Sequence, residues 1–169
     1  TCSLPEFIGG TRNWDYRYCW LRDSFFVVRA LNRLAAVTTM ENYLSYVLNL
    51  VSSTGDNNLQ PVYGLSMEST LTEREVQSLP GYRGMGPVRV GNQAFEHSQH
   101  DVYGNVILAC AQAFLDHRLY APAGLAEFER LEWVGERAFE VYDTPDAGMW
   151  EFRTRNRVHT TSSLMCWVG

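Results

Sequence analysis

The stretch Gln99–Leu119, QHDVYGNVILACAQAFLDHRL, decides the fold class. Val102, Val106, Ala109, Cys110, Ala113 and Phe114 recur at the three- and four-residue spacing of a helix with one apolar face. Working outward, the same spacing returns over about Asp23–Ala36, with Phe26 or Val27, Ala30 or Leu31, and Leu34 as the apolar positions. It returns again over about Thr39–Ser53 (Leu44, Val47, Leu48, Val51), where Thr39 is the expected N-cap. A further stretch covers about Leu125–Tyr142 (Phe128, Leu131, Val134, Ala138, Val141), and a last helix begins near Thr160. Ser53–Glu96 has no helical period and is rich in Gly and Pro; short strands are expected near Gln60–Leu65 and Val88–Val90. Structureless loops above about 15 residues are uncommon unless they carry function. The segment therefore reads as an ordered loop on a helical scaffold. Helix, short turn, helix, long irregular loop is the alternation of a barrel built from helical hairpins. The expected class is all-α.

Composition excludes several kinds of chemistry. The net charge is -5 and no basic patch is evident, which argues against nucleic acid as a partner. All 14 basic residues are arginine, so Schiff-base and P-loop lysine chemistry drop out. A membrane helix needs about 18 consecutive apolar residues, and the chain has no such run. TCSLPEFIGG shows neither the basic nor the apolar region of a signal peptide, and a cytoplasmic location is the expectation. Cys2, Cys19, Cys110 and Cys166 show no metal-ligand spacing and read as free thiols; no metal and no cofactor is expected.

Three segments carry candidate chemistry. RNWDYRYCWLRD, Arg12 to Asp23, crowds aromatic rings among Arg and Asp directly before a helix. Such rings stack on sugar faces while the charges bond to hydroxyls. The alternative is that Trp14, Tyr18 and Trp20 are core and the charges pair with one another. The glycine-rich GYRGMGPVRVGNQA, Gly81 to Ala94, fits no phosphate-binding pattern. It reads either as a tight loop presenting Arg89 and Asn92 or as a structural turn. PDAGMWEFR, Pro145 to Arg153, places Glu151 after Trp150 on a turn formed by Pro145, Asp146 and Gly148. A carboxyl beside an indole is poorly solvated when charged, so its pKa is expected to rise, which suits a proton donor. The alternative there is a solvated surface turn. His100 beside Asp101 and the lone His159 read as structural more readily than as catalytic.

Together these motifs make the chain resemble glycoside hydrolase family 15, the glucoamylase and trehalase-like family. The matching stretches are TCSLPEFIGGTRNWDYRYCWLRDS (Thr1–Ser24), LPGYRGMGPVRVGNQA (Leu79–Ala94), QHDVYGNVILA (Gln99–Ala109), PDAGMWEFRT (Pro145–Thr154) and RVHTTSSLMCW (Arg157–Trp167). The bacterial branch looks closest. The resemblance implies an (α/α)6 barrel, here partial, with residues 1–169 a single partial catalytic domain continuing beyond Gly169. It also implies inverting hydrolysis that releases glucose from the non-reducing end of α-glucosides. Glu151 falls on the family's general acid. Arg22 and Asp23, with Trp20, fall on its glucose-holding pair, and Trp14, Arg89 and Trp150 are expected to join them around a carbohydrate substrate. The family's general base, a second Glu, matches no position here, so these residues alone are expected to be inactive. Where fungal members carry a second acid this chain has Phe152, which leaves the leaving-group subsite open. Gly104-Asn105 and Ser163 are further departures. The main expectation is a glucoamylase-like hydrolase. A trehalase of the same family is one alternative, and a catalytically inactive carbohydrate-binding or regulatory protein is another.

Overall fold

The computed structural model describes residues 4–55 and 58–169. Among them lie five α-helices, one 3-10 turn (Gln93–Glu96) and four two-residue extended segments: Cys19–Trp20, Val62–Tyr63, Arg74–Glu75 and Arg89–Val90. The class is all-α, as expected. The helices are α1 Leu21–Arg33, α2 Val37–Thr54, α3 Asp101–Leu115, α4 Leu125–Val141 and α5 Thr160–Val168. They are helical-hairpin material of an (α/α)6 barrel, and the barrel is incomplete. The chain divides into two compact units, Thr1–Cys19 with Val62–Glu96, and Trp20–Pro61 with His97–Gly169.

The second unit holds all five helices, with α3 at its centre, touching each of the other four. That position explains why α3 is apolar nearly all round. Val102, Val106, Ala109, Cys110 and Ala113 are all buried, as their spacing predicts. Ala109 and Ala113 pack with Val28 of α1 and with Met40 and Leu44 of α2, and Leu119 closes the cluster. Gly104 lets α3 and α5 approach closely, since a Cβ there would lie 1.9 Å from the Met165 carbonyl oxygen. Burial raises the pKa of the Cys110 thiol to about 12.

Two local expectations fail for identifiable reasons. Thr39 lies inside α2, whose N-cap is Ala36. The α1–α2 connection is tight, with Ala35 at φ +55° and Ala36 N–H donating to Leu31 O at 3.0 Å, so the new helix starts earlier. On α1 the buried positions are Leu21, Ser24 and Val28, while Phe26 and Leu34 are exposed. The buried face includes a serine, whose hydroxyl lies 3.0 Å from Tyr43 OH, and hydrophobic spacing alone points to a neighbouring face.

Among its described residues the first unit has no α-helix, only the 3-10 turn Gln93–Glu96. Arg74–Glu75 and Arg89–Val90 pair antiparallel, with Arg74 opposite Val90 and Glu75 opposite Arg89. The expected strands near Gln60–Leu65 and Val88–Val90 shrink to Val62–Tyr63 and Arg89–Val90. The unit's polar centre is the fully buried Asp15. One carboxylate oxygen accepts Arg17 Nε at 2.7 Å. The other accepts Arg17 Nη2 at 2.7 Å, Tyr18 OH at 3.1 Å and Gly91 N–H at 3.2 Å. Burial alone would raise the Asp15 pKa, but the combined donors from Arg17, Tyr18 and Gly91 outweigh it and hold the pKa low. Long irregular segments must satisfy their backbone by other means than a helix ladder, and a buried carboxylate with many donors is one such means.

Candidate active site

Three segments meet in the second unit: the start of α1, the start of α3 and the loop that follows α4. Trp20 is the N-cap of α1 and Arg22 lies in its first turn. The Arg22 guanidinium donates through Nε to Asp101 Oδ2 at 2.5 Å, through Nη2 to Gln99 Oε1, and more weakly through Nη1 to the Met149 carbonyl at 3.5 Å. Its side chain is 17% exposed and that of Asp101 is 1% exposed, so the ion pair is shielded from water. Asp101 also sits in the first turn of α3, where the helix dipole favours a carboxylate.

Glu151 lies in the same unit, in a turn closed by its own N–H donating to Gly148 O at 3.0 Å. It has φ +54°, a left-handed conformation uncommon outside glycine. Such conformations cost about 1–3 kcal/mol and cluster at functional sites. Trp20 Nε1 donates to Glu151 Oε1 at 2.7 Å, across 131 residues of chain. Indole N–H is a donor only, so it fixes one oxygen of the carboxyl and leaves Oε2 for a proton or another partner.

The indole against Glu151 is thus that of Trp20. Trp150, expected in that role, is 77% exposed, and Asp23 is exposed in the first turn of α1. Of the expected site residues in this unit, Trp20, Arg22 and Glu151 are joined by these contacts. An apolar groove between α3 and α4, lined by Ile107, Phe114, Phe128, Leu131 and Phe139, contains none of the expected site residues.

The other two expected site residues belong to the first unit. Arg89 lies over the Trp14 ring, 4.9 Å from its centroid. Its Nη1 donates to the carbonyls of Thr11 at 3.0 Å and Asn13 at 3.1 Å, and it pairs with Glu73 and Glu75 at 3.6 and 3.7 Å. These contacts hold the segment together and leave Arg89 little donor capacity for a ligand. Asn92, the other residue of that loop, is buried with its amide on Asp15 O at 3.1 Å.

From sequence, Asp101 reads either as facing the site or as a first-turn carboxylate on α3, and the structure gives it both the first-turn position and the Arg22 partner. Gln99 is not singled out by the sequence, and its role as a second acceptor for Arg22 is visible only in retrospect. Asp146, which the sequence marks only as a turn residue, is fully buried at the foot of the Glu151 loop. Among the described residues no cluster of three or more His, Cys, Asp or Glu is placed to hold a metal ion. No helix among them is long and apolar enough to cross a membrane.

Comparison with known proteins agrees with this arrangement of motifs. The family model described as "Glycosyl hydrolases family 15" matches residues 1–169. The chain is 34% identical to a trehalase of Thermoplasma acidophilum, 36% to one of Mycolicibacterium smegmatis and 37% to one of Mycobacterium tuberculosis. Each match covers 100% of this chain but only 28%, 25% and 25% of the respective relative, so the chain spans about a quarter of their length. These relatives come from archaea and bacteria alike, which does not single out a bacterial branch. No solved structure matches the chain. With the family model matched from the first residue to the last, and with Trp20, Arg22 and Glu151 drawn together from its separated motifs, this chain belongs to glycosyl hydrolase family 15.

Proposed function

We propose that the complete protein carrying this chain is a trehalase, hydrolysing the 1,1-linked α-glucoside trehalose to two glucose molecules. The glucoamylase-like reading expected from the motifs gives way to its trehalase alternative. The observation that carries this choice is that each relative named above is a trehalase, matched over the whole of this chain. The reaction consumes one carbohydrate substrate and one water, and this reading invokes no cofactor.

In the mechanism, Glu151 is the general acid. Trp20 holds its Oε1, and Oε2 delivers a proton to the glycosidic oxygen as the bond from that oxygen to one anomeric carbon breaks. A second carboxylate, supplied from outside these 169 residues, takes a proton from the attacking water on the opposite face. Inverting enzymes keep the two carboxyls roughly 6.5–9.5 Å apart to admit that water. Arg22, held by Asp101 and Gln99, gives the sugar pocket a rigid cationic wall, and Asp23 and Trp150, both exposed, are the groups open to a ligand.

The test is the anomeric outcome on trehalose, followed by proton NMR in the first minutes of reaction. Inversion at one of two α-linked anomeric carbons releases equal amounts of α- and β-glucose. Release of α-glucose alone would contradict inversion, and intact trehalose with turnover of maltose would restore the glucoamylase reading.

A further inference from the structure

We infer that Asp146 is a positioning residue for the general acid, an anionic anchor that sets where Glu151 stands. The inference rests on the reading of Glu151 as the acid. Asp146 is fully buried and touches no open surface, so it has no direct route to substrate. Its side chain instead gathers three donors from three parts of the second unit. Oδ2 accepts the His100 backbone N–H at 2.7 Å and Ser162 Oγ at 2.7 Å, tying together the starts of α3 and α5. Oδ1 accepts Gly148 N–H at 3.2 Å, which begins the turn that carries Glu151.

The backbone continues the anchor. Asp146 and Arg157 exchange N–H to carbonyl bonds at 2.9 and 3.0 Å, closing the segment between them into a loop. Ala147 N–H donates to Ser98 O at 2.9 Å, and Phe152 N–H to Ala147 O at 3.2 Å. Gly148, at φ +66°, lies flat on the His159 ring, where a Cβ would come 2.7 Å from Nε2. Phe152 stacks on the other part of that ring, with centroids 6.2 Å apart. Glu151 therefore stands on a turn whose first residue, Gly148, is held by Asp146, and the residue that follows it, Phe152, stacks on His159.

A carboxylate is the group this arrangement requires. Donors converge on both oxygens, and a carboxylate is acceptor-only. An amide in the same place must turn an N–H₂ toward one of the donors, leaving a mispaired buried group. Asp146→Asn is thus a shape-preserving lesion of the anchor.

The experiment compares wild type, Asp146→Asn, Ser162→Ala and Glu151→Gln in the complete protein. It reads kcat and KM on trehalose and on glucosyl fluoride, whose leaving group needs little protonation. Backbone hydrogen exchange is followed over residues 147–152 and over α2. For Asp146→Asn, kcat on trehalose should fall roughly tenfold or more, the size set by one mispaired buried donor. KM should hold, the loss on glucosyl fluoride should be smaller, and exchange should rise at 147–152 but not in α2. Ser162→Ala should move the same readouts less. Equal losses on both substrates, exchange raised throughout, or unchanged kinetics would each overturn the inference. Undiminished trehalose turnover by Glu151→Gln would instead remove the general acid itself, an outcome distinct from a harmless Asp146→Asn beside a crippled Glu151→Gln.

Discussion

Asp101→Asn isolates the ion pair that joins the starts of α1 and α3. The substitution keeps size and an acceptor for Arg22 Nε, so what it removes is charge. Arg22 is 17% exposed and Asp101 1% exposed, and the cation would be left without its counter-ion in a largely dry place. Breaking a buried pair at one end typically costs about 3–5 kcal/mol. Arg22 keeps Gln99 Oε1 and the Met149 carbonyl, which lowers that figure, whereas loss of the favourable first-turn carboxylate on α3 adds about 0.3–1 kcal/mol. The balance is a loss of about 3 kcal/mol. Urea denaturation followed by circular dichroism measures it. Arg22→Met should cost a similar amount, and Arg22→Met combined with Asp101→Leu should cost much less than the two single losses together, because an apolar pair replaces the ionic one. A loss below about 1 kcal/mol for Asp101→Asn, the worth of an exposed pair, would refute the claim that the pair is shielded. So would strictly additive single losses.

Other consequences are open to simpler measurements. Trp20→Phe deletes the 2.7 Å donor to Glu151 Oε1 and should lower kcat of the complete protein on trehalose about tenfold, the worth of one hydrogen bond; unchanged steady-state kinetics would show that the bond does not orient the acid. The Cys110 and Cys166 thiols, with pKa raised by burial to about 12 and about 11, should resist iodoacetamide at pH 8 in the folded protein and react on unfolding; mass spectrometry showing rapid labelling of either would contradict their burial. Asp15 has a lowered pKa in the folded state, so its contribution to stability is complete above its unfolded value of about 3.9 and is lost as pH falls through the folded value. Asp15→Asn should therefore be less stable at neutral pH and lose less on acidification than wild type, as urea titrations at several pH values would show.

Much of the helical framework was legible because α2, α3 and α4 repeat apolar residues at helical spacing and the burial largely follows them, though Phe128 of α4 is exposed. The faces of α1 were less legible, since its buried side includes Ser24, which is satisfied by Tyr43 rather than by exclusion from water. Thr39 failed as a cap because chain geometry at Ala35, and not side-chain capping, sets the start of α2. In the candidate site, Trp20, Arg22 and Glu151 stand out as types of residue, but their partners do not. The Trp20–Glu151 bond spans 131 residues and the Arg22–Asp101 bond 79, separations over which one sequence carries no pairing signal. Arg89 looked like a ligand-binding cation and is instead occupied by carbonyls, carboxylates and the Trp14 ring. Asp146 looked like turn chemistry, because its burial depends on α3 and α5 packing around it.

The central claim is that Glu151 is the proton donor, and Glu151→Gln in the complete protein tests it most directly. Gln keeps the side-chain shape and an acceptor for Trp20 Nε1 while removing the transferable proton. Loss of a general acid typically costs about 10²–10⁴-fold in rate. Turnover of trehalose should fall within that range, with hydrolysis of glucosyl fluoride largely retained. Near wild-type turnover of trehalose by the Gln variant would contradict the account.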